Sequence, residues 1–100
     1  MTGQALTSTA TVPTPDAARY AKQLLSHLGR KAEVRHDDRG DTLLFAGGEC
    51  VLLPGVDALR LDASAPTPEA LATIQGVVGS HLERFGQRNE LTVTWSSPDA

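Results

Sequence analysis

The chain has 100 residues, of which 40% are hydrophobic and 21% are charged, a composition that predicts a single globular domain over residues 1–100. Its formal net charge of −3 excludes a general nucleic-acid binder, because such a protein needs a stripe of basic residues against the phosphates. The N-terminus lacks the charged and apolar regions of a signal peptide, and no apolar run reaches the roughly 18 residues of a membrane helix. Since the single cysteine, Cys50, cannot form an internal disulfide, we expect a cytoplasmic protein that does not act at a membrane.

The first predicted strand covers Ala5 to Val12, where apolar residues alternate with threonines. A helix is predicted to follow and to run to about Leu28. Thr14 can cap the free amides at its start, and Pro15 suits the first helical position. Gly29 is expected to end this helix.

Four further strands are predicted in the middle of the chain, at residues 32–37, 42–46, 50–53 and 59–63. The run Asp38–Asp41 has the composition of a turn, and so does Pro54-Gly55. Gly47-Gly48 suits a two-residue hairpin loop, because glycine adopts left-handed dihedral angles without steric cost. These turns predict an antiparallel arrangement.

The second predicted helix is capped by Thr67 and continues to about Phe85. Leu91 to Trp95 alternates again and predicts a sixth strand, while residues 1–4 and 96–100 are expected to be flexible tails. The predicted fold is α+β, a two-layer sandwich in the order β-α-β-β-β-β-α-β. It has a mostly antiparallel sheet of about six strands with two helices on one face.

The other face of the sheet is predicted to carry threonines and mixed charges, which is typical of a solvated surface. Its charged residues would be Lys31, Glu33, Arg35, Arg60 and Asp62.

Two short segments recur along the chain. Residues 13–17 (PTPDA) return as residues 66–70 (PTPEA), and residues 26–28 (SHL) return at 80–82. The recurrence suggests two related strand-helix-strand units, although a Pro-Thr-Pro-acid run is also a general helix start and the match can arise by chance.

The two repeated histidines lie near the ends of the predicted helices. His81 falls on the apolar stripe of its helix with Ile74, Val77 and Phe85, so we expect it to be mostly buried between the helix and the sheet. There it would be hydrogen-bonded to the backbone, to Tyr20 or to a strand; the alternative is a ligand or proton carrier. His27 is expected to be a surface residue at its helix end, where the dipole favours its charged form.

Cys50, His27 and His81 would form a zinc or iron site if the helices lay side by side above the fourth strand. No CxxC or HxxxH pair brings two of these ligands together locally, so the spacing itself gives no support. His36-Asp37-Asp38 contains a weaker His-x-Asp match. The sequence has neither a GxSxG nucleophile motif nor a phosphate-binding loop, which disfavours an enzyme.

Small residues at Ala72, Gly76 and Gly79 form a strip on the second helix outside its apolar stripe. Glycine within a helix is unfavourable, so close approach of another backbone would explain the strip. That backbone could belong to a partner or to a second copy in a homodimer. An unoptimised exposed face is the alternative.

Three segments together resemble one bacterial family: residues 19–27 (RYAKQLLSH), 81–85 (HLERF) and 88–95 (RNELTVTW). The chain resembles the family called domain of unknown function 2218 over Ala5 to Trp95. Where its members often carry Cys-Lys, this chain has Leu25-Ser26, which removes a thiol beside His27. The resemblance implies a small bacterial cytosolic protein with no assigned reaction. Related domains are sometimes joined to siderophore-interacting flavin reductases, which implies a link to iron handling.

We therefore expect a noncatalytic binding or accessory module, without a resident cofactor, that takes an unknown protein or small-molecule partner and is linked by the resemblance to siderophores. The alternative is a metal-binding or metal-sensing protein that holds zinc or iron with His27, His81 and Cys50.

Overall fold

The structure, a computed structural model that describes residues 6–38 and 40–96, contains an antiparallel sheet of five strands and two helices. The strands are β1 (Leu6–Pro13), β2 (Glu33–Asp37), β3 (Gly40–Phe45), β4 (Gly48–Pro54) and β5 (Ala58–Ala65). The helices are α1 (Ala17–Leu28) and α2 (Pro68–Phe85), and a short 3-10 helix (Gln87–Asn89) follows α2. The strand order is β1-β5-β4-β3-β2, and every neighbouring pair is antiparallel. The predicted α+β class is confirmed, but five strands form instead of six.

The hydrophobic core lies on the side of the sheet that faces the helices. In β5, Leu59 and Leu61 are fully buried while the intervening Arg60 is exposed, as the period of two requires. Register places Leu61 opposite Ala10 on one neighbour and Leu52 on the other, so the apolar rows align across strands. α1 and α2 contribute their apolar stripes to the same core cluster.

The opposite face of the sheet carries charges that pair with each other. Arg35 on β2 contacts Asp37 at 3.2 Å and reaches Glu49 on β4 at 3.3 Å, and Arg60 contacts Asp62 at 2.9 Å. These partly exposed ion pairs fit the predicted solvated surface.

The helix α1 begins later than its sequence predicts. The Thr14 hydroxyl accepts a hydrogen bond from the Asp16 amide at 3.0 Å and closes a local turn, so it does not cap the helix. The Thr14 amide also donates to the Asp57 carbonyl at 2.8 Å, which holds the residues before α1 beside the start of β5. The helix end at Leu28, followed by Gly29, is as predicted.

The helix α2 begins as predicted. The Thr67 hydroxyl accepts from the Ala70 amide at 3.1 Å, and Pro68 occupies the first turn. The two similar sequences at residues 13–17 and 66–70 therefore form different helix starts, and the helices differ in length, with 12 residues in α1 and 18 in α2. The structure does not support an internal repeat.

The hairpin between β3 and β4 turns at Ala46-Gly47, one residue before the predicted position. Both residues have positive φ angles, 54° and 84°, which a tight hairpin turn of the primed type requires. Gly48 lies in β4 opposite Phe45, where a Cβ atom would collide with the Ser64 carbonyl. The second glycine is thus needed for packing against β5. Of the predicted turn at 38–41, Arg39 lies outside the described residues.

The segment Leu91–Trp95 does not form the predicted sixth strand. It makes a single bridge, between Trp95 and Ala10, and the Ser96 amide then donates to the Thr9 carbonyl at 2.9 Å. The Val93 amide donates instead to the Glu83 carboxylate of α2 at 2.9 Å, which holds the chain against the helix and away from the sheet edge. Ser96 is therefore anchored, in contrast to the predicted tail, while the predictions for 1–4 and 97–100 and for Ala5 fall outside the described residues.

None of the helices in the described part of the chain combines the length and the apolarity that crossing a membrane would require.

Candidate functional site

Two of the histidines predicted as site residues lie side by side between the helices. His27 in the last turn of α1 and His81 of α2 have ring centroids 5.0 Å apart, with their planes inclined by 49°. Phe85 contacts both rings edge-on, at centroid distances of 5.5 Å from His27 and 6.2 Å from His81. The contact joins residues that are 54 positions apart in the sequence.

Hydrogen bonding fixes the tautomer of neutral His81. Its Nδ1 lies 2.7 Å from the Val77 carbonyl oxygen, which can only accept, so Nδ1 carries the proton. The other ring nitrogen, Nε2, is left as an acceptor when the ring is neutral. The predicted backbone bond of His81 is therefore present, whereas the predicted tyrosine, Tyr20, is bonded by Asn89 at 2.9 Å.

His81 is only partly buried, in contrast to the expected position between helix and sheet. Its helical position lies at the edge of the apolar stripe, where the neighbouring surface is α1 and Phe85. His27 is exposed, as expected for a helix end.

A pocket of about 500 Å³ opens beside the histidine pair. Its walls come from the end of α1 and the turn that follows, from the end of β3 and from the middle of α2. We call it the basic pocket. The residues that line it are His27, Leu28, Arg30, Lys31, Ala32, Phe45, Val77 and His81.

The turn after α1 presents two basic side chains at the pocket. The amides of Lys31 and Ala32 donate to the Leu28 carbonyl at 3.0 and 2.9 Å, and the Gly29 amide donates to Leu25 at 2.9 Å. These bonds satisfy the carbonyl end of the helix and reverse the chain tightly. Arg30 and Lys31 consequently sit on a short turn and are exposed.

The basic pocket carries positive charge that none of the described residues compensates. None of its lining residues is acidic, and neither Arg30 nor Lys31 forms an ion pair with any residue of the described ranges. This charge stands out because the chain as a whole has a net charge of −3. Its polar groups are accompanied by four apolar ones, contributed by Leu28, Ala32, Phe45 and Val77.

Cys50 lies apart from the basic pocket. It is fully buried in the core on β4, and this burial, with smaller effects from the charges of Asp62 and Glu49, raises the pKa of its thiol to about 12. Across the described residues, no three His, Cys, Asp or Glu side chains are grouped so that they could hold a metal ion. The structure thus brings His27 and His81 together without Cys50.

The His36-x-Asp38 match does not form a site either. His36 lies in β2 and contacts Asp41 of the neighbouring strand β3 at 2.5 Å, while Asp38 lies in the turn that follows β2. Neither residue belongs to a group of three potential metal ligands among the described residues.

The small-residue strip of α2 is covered by the C-terminal segment at Gly79 but not at Gly76. A Cβ atom at Gly79 would lie 3.2 Å from the Trp95 ring nitrogen and 3.5 Å from Val93, so the close neighbour of this glycine is the C-terminal segment. Ala72 is exposed, and nothing among the described residues lies within 4 Å of a Cβ at Gly76.

A second concavity, of about 530 Å³, lies on the solvated face of the sheet over β1, β4 and β5. Its charges are compensated, because Asp62 is contacted by Arg60 at 2.9 Å and by the Thr9 hydroxyl at 3.3 Å. The basic pocket is the stronger candidate, since its polar groups remain available to a ligand.

The sequence patterns indicate the two histidines of the basic pocket but do not indicate Arg30 or Phe45, and they place Lys31 on the solvated sheet face. A signal for the basic pair exists in the sequence. Two basic residues directly follow the glycine that ends a helix, where the turn must expose them.

The sequence profile of a bacterial family, described as "Uncharacterized protein conserved in bacteria (DUF2218)", matches residues 9–96. The chain belongs to this family, as the resemblance predicted. It is also similar to a protein of Pseudomonas aeruginosa, PA4090, whose structure was determined by NMR. The two share 32% sequence identity and a TM-score of 0.78, over 95% of this chain and 99% of that one. No curated protein matches the chain.

Proposed function

We propose that this member of the family is a noncatalytic binding module whose small-molecule ligand occupies the basic pocket. The observation that carries the proposal is a pocket of about 500 Å³ that combines apolar walls with two imidazoles and with two cations that form no ion pair within the described ranges. Its volume falls in the range of roughly 300–1,000 Å³ that is typical of small-molecule sites. A few convergent polar groups in apolar surroundings are what such sites use to orient a ligand.

The composition of the basic pocket supports binding over catalysis. Its lining contains no hydroxyl, thiol or carboxylate that could act as a nucleophile or orient an imidazole as a general base. The thiol of Cys50 is buried, and its raised pKa keeps it protonated at neutral pH.

Blocking the pocket tests this proposal. Val77→Trp places a large ring at the pocket wall, while Val56→Trp makes the same change at a site that is 87% exposed and outside the pocket. Amide NMR spectra would be recorded with a mixture of small organic fragments. We expect shifts at residues 27–32, 45, 77 and 81 in the wild type and in Val56→Trp, and their loss in Val77→Trp. Absence of such shifts in the wild type would contradict a binding function for this pocket.

A metal-binding or metal-sensing protein is the second candidate, and the His81 hydrogen bond favours it. Histidines that bind metals commonly donate their other ring N–H to a backbone carbonyl, as His81 does to Val77. With His27 only 5.0 Å away, two imidazoles are available to zinc or iron. Since Cys50 is held in the core, further donors would come from water or from a bound chelator, and a siderophore-type chelate would supply the link to iron handling.

Elemental analysis of protein purified without an affinity tag separates the two candidates. The metal candidate requires stoichiometric zinc or iron that is lost in His27→Ala and His81→Ala and retained in His36→Ala, which removes an exposed histidine from another part of the fold. Titration with zinc and ferrous ions would follow the same pattern. Metal-free protein whose spectrum is unchanged by either ion would leave the small-molecule module as the function.

A further inference from the structure

We infer that the ligand of the basic pocket is an aromatic monocarboxylate that also carries a hydrogen-bond donor. This inference rests on the proposed binding function and adds the chemical class of the ligand. Four observations carry it: two cations without an ion-pair partner among the described residues, the helix end beside them, the apolar walls and the hydrogen bond from His81 to the Val77 carbonyl.

The sign of the ligand's charge follows from the rim of the pocket. Arg30 and Lys31 have no ion-pair partner in the described parts of the chain, and no lining residue is acidic. An anion placed there gains two charge-assisted contacts and displaces no ion pair formed by the described residues. A cationic ligand would be repelled by both of these side chains.

The number of negative charges on the ligand follows from the backbone at the end of α1. Sites for phosphate dianions usually offer free backbone N–H groups at a helix N-terminus. Here the wall is the C-terminal end of α1, which carries a partial negative charge, and the amides of Gly29, Lys31 and Ala32 are already bonded within the turn. A carboxylate with one negative charge suits this environment better than a phosphate.

The body of the ligand follows from the walls. Phe45 and Val77, together with Leu28 and Ala32, form the apolar part of the lining, and the His27 and His81 rings add flat faces. Flat aromatic groups pack favourably against such rings in stacked or edge-on arrangements. An aromatic acid is therefore a better fit than a short aliphatic one.

The hydrogen-bond donor follows from His81. Because Nδ1–H of the neutral ring donates a hydrogen bond to the Val77 carbonyl, Nε2 can only accept. No described residue donates a hydrogen bond to Nε2. A hydroxyl or amine on the ligand would donate a hydrogen bond to Nε2 of His81.

Binding measured by NMR and calorimetry on the full chain tests this assignment, with benzoate, 3-hydroxybenzoate, benzamide, benzylamine and phenyl phosphate as probes. We expect 3-hydroxybenzoate to bind most tightly and benzoate next. The neutral benzamide should be weaker than benzoate by about tenfold or more, the factor expected for loss of a charged hydrogen bond. The affinity of the acids should also fall with added salt.

Variants locate the contacts. Arg30→Gln combined with Lys31→Gln should weaken benzoate about tenfold or more, whereas Lys22→Gln, an exposed basic residue of α1 outside the pocket, should leave it unchanged. His81→Phe should abolish the advantage of 3-hydroxybenzoate over benzoate. Urea unfolding of each variant would verify that it is folded.

The outcomes separate the ligand class from the binding function. If benzamide, benzylamine or phenyl phosphate binds the pocket as tightly as benzoate, or if the double variant loses nothing, the ligand class is wrong while the pocket remains a binding site. The same holds if the fragment mixture shifts pocket residues and neither acid does. If neither the fragments nor these probes shift pocket residues, the binding function fails as well.

Discussion

Burial determines the chemistry of Cys50. The side chain is fully enclosed between the sheet and the helices, and it belongs to the hydrophobic core. A thiolate there would lose its solvation and face the negative charges of Asp62 and Glu49, so the neutral thiol is favoured and its pKa rises to about 12. The residue acts as a small core side chain.

This shift predicts a pH dependence of stability. In the unfolded chain the thiol has the ordinary pKa of 9.0, so between about pH 9 and 12 the unfolded state loses a proton that the folded state retains. The free energy of unfolding therefore decreases as the pH rises through this window, by about 1.4 kcal/mol per pH unit from this group. Below about pH 9 both states carry the proton and the contribution is constant.

Cys50→Ala removes that contribution. Urea unfolding at intervals from pH 8 to pH 11 should give the variant a shallower decline than the wild type, while both show the decline due to other groups. Identical slopes above pH 9 would show that the thiol is not as protected as its burial indicates.

The pattern of each helix indicates His27 and His81 as candidate site residues, but it does not predict the contact between their rings or the partial burial of His81. Helical periodicity placed His81 on the apolar stripe of α2, yet the ring is only partly buried because the stripe's edge faces α1. The position of a side chain at the edge of a stripe depends on which element covers that edge. A pattern within one helix does not contain this information.

Among the elements, α2 contains two glycines in different environments. Gly76 is exposed with open space around it, whereas Gly79 lies beneath Trp95 and Val93. Both are unfavourable in a helix by roughly 1 kcal/mol relative to alanine. Only Gly79 has a structural reason to be present.

Alanine substitution should distinguish the two. Gly76→Ala should increase the free energy of unfolding by roughly 1 kcal/mol through helix propensity alone. Gly79→Ala should gain less or become destabilising, because its Cβ would press on the Trp95 ring at 3.2 Å. Urea denaturation of the two variants provides the comparison, and equal gains would show that Trp95 moves away freely.

The C-terminal segment is held to α2 by one side chain. The Glu83 carboxylate accepts from the Val93 amide at 2.9 Å, between the turn at Gly86 and the bridge at Trp95. Hydrogen bonds to a charged group contribute about 1.5–3 kcal/mol. This bond replaces the sheet pairing that the alternating sequence predicted.

Glu83→Ala should loosen the segment without unfolding the sheet. We expect faster hydrogen exchange of the Val93 amide and altered Trp95 fluorescence, with core amides of β4 and β5 unaffected. Glu69→Ala, an exposed acidic residue in the first turn of the same helix, is the matched control. Unchanged exchange at Val93 would mean that Trp95 and Ser96 hold the segment alone.

At the scale of the whole molecule, the sheet has two unlike edges. The β1 edge is covered at Trp95 and Ser96, while the β2 edge is exposed and charged. Charged edge strands resist pairing with other chains. If the chain self-associates, we therefore expect it to do so through the exposed part of the α2 strip, Ala72 and Gly76, and not through the sheet.

Sedimentation tests the predicted homodimer. A symmetric interface would use Gly76 twice, so Gly76→Glu should convert a concentration-dependent dimer to a folded monomer. Ala18→Glu, at an exposed position of α1, should leave the dimer intact. A wild-type protein that sediments as a monomer at high concentration would exclude this interface.

Local physical signals were sufficient for the α+β class and for the types of seven of the eight predicted elements, the exception being the strand predicted at Leu91–Trp95. Alternation of apolar residues predicted β1, β2 and β5, and a buried apolar run with its hairpin turn predicted β3 and β4. The Thr67 cap and Gly29 predicted helix limits, and Pro54-Gly55 predicted a turn. Each of these depends on neighbouring residues along the chain, which the sequence displays directly. The motif segments likewise identified the family.

The tertiary structure decided what depends on distant partners. The strand order and the contact between His27 and His81 both involve residues that are remote in the sequence. The position of Leu91–Trp95 depends on the hydrogen bond from the Val93 amide to the Glu83 carboxylate of α2. An alternating segment forms a strand only where a sheet edge is available for its backbone hydrogen bonds. Here the Val93 amide donates to the Glu83 carboxylate and is not available to the sheet. The basic pocket arises in the same way, since its walls come from three elements whose positions only the packed core determines.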